Sequence, residues 1–430
     1  MRSIDLATIT PEERRRLLQR SAVPSDEVRA GASEIVAAVR AGGDAALAAA
    51  GRRYGGGRPE GSRIPAADIA RAGEALPAPL TEAIRRAADH VRSVHLAQLP
   101  SDHTVEPLPG ISVVRRWAPL RRVGCYVPGG VAPLPSTLIM TVVPAQVAGV
   151  PSVAVAAPAR RDGTIDAATL GAAAVLGVEE VHAMGGAQAI SALAYGTETI
   201  APVDKIVGPG NAWVTAAKLA VAAEVAIDMP AGPSEALVLA DATAPARYVA
   251  ADLLAQAEHG PDSPVALVVT DPSVAAAVLH EVEAMLAVLE RADVIRAALD
   301  GHGLVVLAPD RDAAIAFADD FAPEHLSIHL ARPAEAAERI TGAGSVFVGP
   351  WAPEPVGDYA SGANHVLPTG GLACSTGPLS TEDFGSWRQV QTLTRAGLAA
   401  VRPVVDALAS AEGLTAHRAA VEVRFREDGA

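Results

Sequence analysis

Cysteine is almost missing: Cys125 and Cys374 are the two in 430 residues. They form no CxxC pair, which excludes a disulfide framework and a thiolate zinc site and suits a reducing cytoplasm. Long apolar runs are missing too. Half of the residues are hydrophobic, yet no stretch of about 18 escapes charge, Pro or Gly, so no membrane helix is expected. The start, Met1-Arg-Ser-Ile-Asp-Leu, has no apolar stretch of the secretory kind and turns charged at Glu12-Glu-Arg-Arg-Arg16, so a cytoplasmic location is expected. Basic excess is absent: the net charge of −14 argues against nucleic acid, which needs a basic face, and serves solubility. The usual dinucleotide fingerprint, G-x-G-x-x-G after a strand, is lacking as well. Aromatics are scarce at 3% and alanine abundant, a compositional bias without functional content.

What is present is alternation. A chain of this length holds two or three domains. Its first hundred residues read as helical: 26–40 carry Val28, Ile35, Val36 and Val39 as a partial stripe, and 81–98 put Ile84, Ala88, Val91 and His95 on one face. Between them Gly55-Gly-Gly57 opens a loop. From about residue 120, short apolar strands alternate with Ala-rich helices. One set is 152–156, 181–184 and 205–207; a second is 236–239, 265–269, 304–307 and 345–348. Such alternation implies parallel sheet built from βαβ units, and two sets suggest two α/β domains with a cleft between. Beyond about 380 the pattern reads as helical again, at 399–410 and 417–423.

Several short runs carry more than packing requires. Ile227-Asp-Met-Pro-Ala-Gly-Pro-Ser-Glu235 is a loop, because Pro230, Gly232 and Pro233 suit neither a helix nor a central strand. Asp252-Leu-Leu-Ala-Gln-Ala-Glu-His259 reads as a helix end stopped by Gly260-Pro261. There Gln256 and His259, three apart, share one face and can reach one ion together. Lys205-Ile-Val-Gly-Pro-Gly-Asn211 runs from a strand through a Gly-rich turn into a helix near Ala212. That is an anion-binding helix start or an ordinary tight turn. Glu324-His325 follows Pro323 and precedes an alternating run; extended neighbours point to opposite sides and so can serve two positions in a cleft. By themselves they also read as a solvated Glu and a structural His, Gln256 as surface polar, and His417 as an ordinary helix histidine.

Taken in order, these runs resemble the L-histidinol dehydrogenase family. Further matches are Tyr126-Val-Pro-Gly-Gly130, Gly185-Gly-Ala-Gln-Ala189, Pro323-Glu-His-Leu326, Gly357-Asp-Tyr-Ala-Ser-Gly-Ala-Asn-His365 and Glu412-Gly-Leu-Thr-Ala-His417. The resemblance covers nearly the whole chain. It implies two incomplete Rossmann-like parallel-sheet domains, one inserted in the other, with a helical N-terminal segment. It also implies a C-terminal helical arm swapped in a homodimer. The expected bounds are 1–21 for the segment, 22–125 with 234–379 for the first domain, 126–233 for the inserted NAD-contacting domain, and 380–430 for the arm.

The implied activity is NAD-dependent oxidation of L-histidinol through L-histidinal to L-histidine, the end of histidine biosynthesis. The implied cofactors are NAD and one Zn2+ per subunit. Tyr126, Gln188 and Asn211 match NAD positions; Gln256, His259, Asp358 and His417 match the zinc ligands, Asp358 in what reads as a turn. A catalytic zinc wants such nitrogen and oxygen donors with a position left open for substrate. Ser234, His365 and Glu412 match substrate positions, as do Gln256, His259, His325, Asp358 and His417. His325 corresponds to the general base and Glu324 to the residue that activates water. Glu412 and His417, both in the arm, would be lent to the other subunit's site.

The pattern departs from the family at 375–386, where Pro378 interrupts and Gly385-Ser386 follow Phe384. That puts the packing of this part in question, not the chemistry. Two other readings stand beside the main one: a zinc and NAD paralogue acting on another small polar alcohol, such as a sulfonated diol, and a non-catalytic binding protein on the same scaffold. Intact Glu324 and His325 argue against the second. A covalent route through Cys125 would need an activated thiol.

Overall fold

The computed structural model describes residues 1–58, 61–129 and 133–426. Gly130 of the Tyr126 motif and residues 427–430 of the arm lie outside them. The described chain divides into two units, one of residues 1–98 and 120–384, the other of residues 99–119 and 385–430.

The larger unit contains two wholly parallel sheets. In the first, the strands lie in the order Arg2–Asp5, Gly303–Leu307, Val265–Val269, Ala236–Ala240, His325–His329, Ser345–Val348. In the second the order is Val181–Ala183, Val153–Ala157, Val123–Tyr126, Lys205–Val207, Ala226–Ile227. Leaving Arg2–Asp5 aside, each sheet counts 3-2-1-4-5 along the chain. The chain thus reverses direction of growth once in each sheet, and such a reversal leaves a crevice beyond the strands' carboxyl ends. Near-continuous apolar strands such as Val265–Val269, buried at all five residues, fit a parallel sheet covered on both faces.

The two strand sets read from sequence are those of the two sheets. Three strands escaped that reading: Arg2–Asp5, Val123–Tyr126 and Ala226–Ile227. The first corrects the all-helical view of the N-terminal residues. Its four mostly polar residues pair with Gly303–Leu307 three hundred positions away, which no local pattern reveals. The helices are placed well: Asp26–Tyr54 and Ala78–Leu96 cover the expected segments, and Ile84, Ala88, Val91 and His95 are the buried face of the latter.

The loop Asp228–Glu235 is the crossing from the last strand of the second sheet to the first-laid strand of the other. It is fastened along its length. Asp228 accepts from Gly208 N at 2.8 Å and pairs with buried Lys218. Thr215 Oγ1 donates to Ala231 O at 2.6 Å, and Gly232 N donates to Thr369 Oγ1 at 2.6 Å. The divergent run at 375–386 packs firmly: Leu379, Thr381 and Phe384 are buried, and Thr381 Oγ1 donates to His95 O at 2.7 Å.

The smaller unit is a three-stranded antiparallel sheet, Gly385–Leu393 beside Ile111–Pro119 beside His103–Leu108, followed by the helices Arg395–Ala411 and Thr415–Glu422. A strand at Gly385–Leu393 corrects the helical reading of everything beyond 380. Seven of its nine residues are exposed and none is buried, so the apolar period that marks a strand is missing.

Gly208 generates a test of this architecture. Its φ is +113°, and a Cβ there would stand 2.0 Å from Tyr126 O. Both the left-handed backbone and the backbone contact forbid a side chain. Gly208→Ala should therefore lower the unfolding free energy by about 2–5 kcal/mol, read from urea unfolding. A loss under about 0.5 kcal/mol, the ordinary surface level, would contradict the described turn.

Candidate active site

A cavity of about 840 Å³ opens where the second sheet reverses, lined by Tyr126, Gly129, Gly185, Gly186, Gln188 and Asn211 among others. Its size is that of a pocket for a sizeable ligand. All three residues matched to NAD positions line it. Tyr126 Oη accepts from Gly186 N at 3.1 Å, and the Gln188 amide donates to Gly55 O at 3.1 Å. Asn211 caps the helix Ala212–Val221, its Oδ1 accepting from Trp213 N and Val214 N. Those two amides are thus already satisfied, so at this helix start the ordinary turn explains more than an anion site does. Asn211 retains its NH2 group as a donor to the cavity.

The acid–base candidates stand together at the amino end of one strand of the first sheet, His325–His329. The helix Arg311–Phe321 stops because Ala322 adopts a left-handed φ of 47° and Pro323 cannot continue it. Glu324 follows, fully buried, and one of its oxygens accepts from Ser234 Oγ at 2.7 Å and Glu235 N at 2.8 Å. Burial lifts the Glu324 carboxyl well above its usual range; these two hydrogen bonds oppose that, and the nearby Glu235 and Asp358 carboxylates add to it. His325 Nδ1 donates to Glu235 O at 3.3 Å, which leaves Nε2 as the proton acceptor. Burial pushes His325 down to about 4, against the pull of Asp358. A neutral imidazole with a free Nε2 is a base in waiting.

Arg20 holds this corner together, and sequence reading missed it. Its guanidinium pairs with buried Glu235, donates to the carbonyls of Phe321 and Ala322, and stacks on the Phe321 ring at 3.5 Å. No motif marks it, because its partners lie more than two hundred residues away.

Beside them lies a group of metal-type donors. Gln256 is in the last turn of Ala246–Ala257, wholly buried, and neither of its amide atoms has a hydrogen-bond partner among the described residues. His259 falls just past the helix end; its Nδ1 donates to Ala255 O at 3.3 Å, and its Nε2 lies 3.9 Å from an Asp358 oxygen. Asp358 is helical, in Glu354–Tyr359, rather than in a turn as the sequence suggested. His365 Nδ1 donates to Asp358 O at 3.2 Å, and burial lowers its basicity. His259, Asp358 and Glu354 each place a donor atom within 4.8 Å of the others. Glu354 is a second residue that sequence reading missed. Nitrogen and oxygen donors around an orphaned buried amide fit a divalent ion such as zinc.

The larger unit thus brings together Ser234, Gln256, His259, Glu324, His325, Asp358 and His365. Glu412 and His417 belong to the smaller unit. Glu412 follows the helix Arg395–Ala411, His417 lies in Thr415–Glu422, and both are exposed.

An α/β fold of parallel sheets, with a neutral buried imidazole and a carboxyl beside metal-type donors, has the makings of an oxidoreductase. The histidinol dehydrogenase family profile matches residues 18–425. A histidinol dehydrogenase of Halobacterium salinarum is 47% identical over 98% of this chain and 99% of its own length. One from Methanothermobacter thermautotrophicus is 44% identical over 96% of each. The crystal structure of histidinol dehydrogenase from Elizabethkingia anophelis superimposes with a TM-score of 0.92 at 37% identity, covering 99% of this chain and 98% of that one. The chain belongs to the histidinol dehydrogenase family, whose members are oxidoreductases.

The raised Glu324 carboxyl has a consequence for stability. The folded protein holds this proton more tightly than the unfolded chain, so the associated stability is complete below the ordinary carboxylate range and is lost as pH rises toward the raised value. Glu324→Gln cannot ionise and escapes that loss. Relative to the parent, the variant should gain melting temperature between about pH 5 and pH 8 in metal-free protein. A constant difference across that range would contradict the raised value.

Proposed function

We propose that the chain oxidises L-histidinol through L-histidinal to L-histidine at the end of histidine biosynthesis, using NAD and one zinc ion per subunit. The observation that carries this reading is the placement of Glu324 and His325. One is fixed by Ser234 and the Glu235 amide, the other by the Glu235 carbonyl, and the two side chains lie 3.7 Å apart, which supports their serving as two proton acceptors for one substrate. An alcohol carried to an acid needs two: one for the hydroxyl proton, one for the water that hydrates the aldehyde.

His325 takes the hydroxyl proton on Nε2. Glu324 takes a proton from water, and Ser234 keeps its carboxylate aimed. Since burial favours the protonated acid, the competent ionised form of Glu324 gains population as pH rises, so the aldehyde step should quicken toward alkaline pH. Gln256, His259 and Asp358, with His417 of the partner subunit, would hold zinc, which when bound orients the imidazole and amine of the substrate. NAD, when bound, accepts the hydride in each oxidation; Tyr126, Gln188 and Asn211 would line its place, and the 3-2-1-4-5 strand order supports that assignment. His365 and the partner's Glu412 would recognise the imidazole and ammonium of the substrate. The same reading makes the protein a cytoplasmic homodimer in which 126–233 is the inserted, NAD-contacting domain and 380–430 the exchanged arm.

Two experiments test it. NADH formation is followed from histidinol and, separately, from supplied histidinal. Glu324→Gln should damage the aldehyde reaction by about 10²–10⁴-fold, the loss expected for a missing general base, and the alcohol reaction by less. His325→Asn should slow histidinol oxidation. Equal losses on both substrates for Glu324→Gln would remove the division of roles. For the dimer, inactive His417→Ala and inactive His259→Ala chains are mixed. Random pairing in a two-fold dimer with shared sites should restore about a quarter of parental activity, since each mixed dimer has one intact site. No recovery after demonstrated subunit exchange would mean that each site is built within one chain.

A further inference from the structure

Glu354 has no evident structural reason for its place. Its side chain is 1% exposed, and neither carboxylate oxygen has a hydrogen-bond partner among the described residues. An ionised carboxylate in that state costs several kcal/mol unless something compensates it. Its surroundings offer no compensation: the charged side chains that act on it, Asp358, Glu324 and Asp252, are all carboxylates. Asp252 is engaged elsewhere, accepting from buried His329 Nε2 at 2.8 Å.

Two independent observations point to what is missing. A Glu354 oxygen lies within 4.8 Å of donor atoms on both His259 and Asp358. Gln256, on the neighbouring helix, is wholly buried with both amide atoms unpaired. A buried carboxylate and a buried amide oxygen, both unpaired beside a histidine nitrogen, form a donor set that a cation would complete.

We propose that Glu354 is a further donor of the metal site, facing the ion together with His259 and Asp358. The inference rests on the metal reading above. In charge terms it makes sense of the site: Gln256 and His259 are neutral, so Asp358 alone leaves a divalent ion half compensated, whereas Asp358 and Glu354 together neutralise it. The ion in turn relieves the burial cost of Glu354.

The test uses the full chain stripped of metal, with Co2+ and Zn2+ as probes and a chromophoric chelator in competition. Parent, Glu354→Gln and Glu354→Asp are compared. Glu354→Gln should weaken metal binding by about 10–100-fold or more, the range known for groups around a metal centre, and should change the visible spectrum of bound Co2+. Its metal-free melting temperature should match or exceed the parent's, because a neutral amide replaces an uncompensated charge. The rise in melting temperature on adding Zn2+ should shrink. Parental affinity and spectrum in Glu354→Gln would overturn the proposal. So would a lowered metal-free melting temperature with an unchanged rise on Zn2+, which is the signature of a purely structural carboxylate. Should Glu354→Gln fail to fold, Glu354→Asp decides: it keeps the charge but withdraws it by one methylene, so parental affinity in that variant overturns the proposal. A parent chain that binds neither Co2+ nor Zn2+ would overturn the metal reading itself, and this inference with it.

Discussion

The crossing between the two sheets is pinned at both ends by a buried carboxylate with its own cation. Asp228 has Lys218, which also donates to Gly208 O at 3.0 Å; Glu235 has Arg20. Burying such pairs is a doubtful source of stability, but removing one partner is costly. Their effect is therefore positional. Asp228 fixes the turn at the carboxyl end of Lys205–Val207, beside the large cavity. Glu235 presents its amide to Glu324 and its carbonyl to His325. Six residues separate the two anchors, so the geometry at the cavity and at the acid–base pair is set by one short stretch of chain. Pro230, Gly232 and Pro233 keep that stretch from joining either sheet.

The second constraint is electrostatic. Around Glu324 the carboxyl groups of Glu235, Glu354 and Asp358 gather, while the imidazoles of His325 and His365 are driven toward neutrality by burial. Arg20 compensates Glu235 and also donates to the Phe321 and Ala322 carbonyls. Such a site is short of positive charge. A cationic ligand entering it would draw its carboxyls toward ionisation, and an ammonium-bearing substrate or a divalent ion has the right sign. That acid groups and neutral imidazoles coexist so closely is what low-dielectric burial produces, and groups pushed apart in this way are the raw material of acid–base catalysis.

How much of this was legible in the sequence depended on distance along the chain. Helical faces such as Ile84, Ala88, Val91 and His95 repeat locally and were readable, as were the apolar strands of both sheets. Gln256 and His259 were readable as a pair because three residues of helix join them. The strand Gly385–Leu393 was not, since it is mostly exposed and depends on pairing with Ile111–Pro119. Arg20 and Glu354 were invisible for a different reason. An arginine after a charged helix and a glutamate between two prolines look like ordinary surface, and only the fold buries them. Asp358 illustrates the intermediate case: its place in the motif drew notice, while Val356-Gly-Asp-Tyr-Ala360 read as a turn where tertiary packing makes a short helix.

Cysteine chemistry narrows the choice of nucleophile for oxidising an aldehyde. A thiol route needs an accessible thiolate with a base at hand. Cys125 lies in a central strand of the second sheet, wholly buried, and that burial pushes its thiol up to about 12. Cys374 is exposed, but its thiol donates to the Gly371 carbonyl at 3.1 Å, and no imidazole or carboxylate bonds to it among the described residues. Cys125 therefore offers no thiolate near neutral pH, and Cys374 has no base bonded to it among the described residues. In the proposed reaction water is then the source of the second oxygen, and water attacks an aldehyde effectively only when a base removes its proton. Among the groups at this corner, Glu235 is tied to Arg20 and Gly370 N. Glu324 is different: one oxygen accepts both of its hydrogen bonds, leaving the other for a proton. On the proposed reading, the scarcity of cysteine bears on the chemistry of the site, because it leaves the hydration of the aldehyde to a carboxylate.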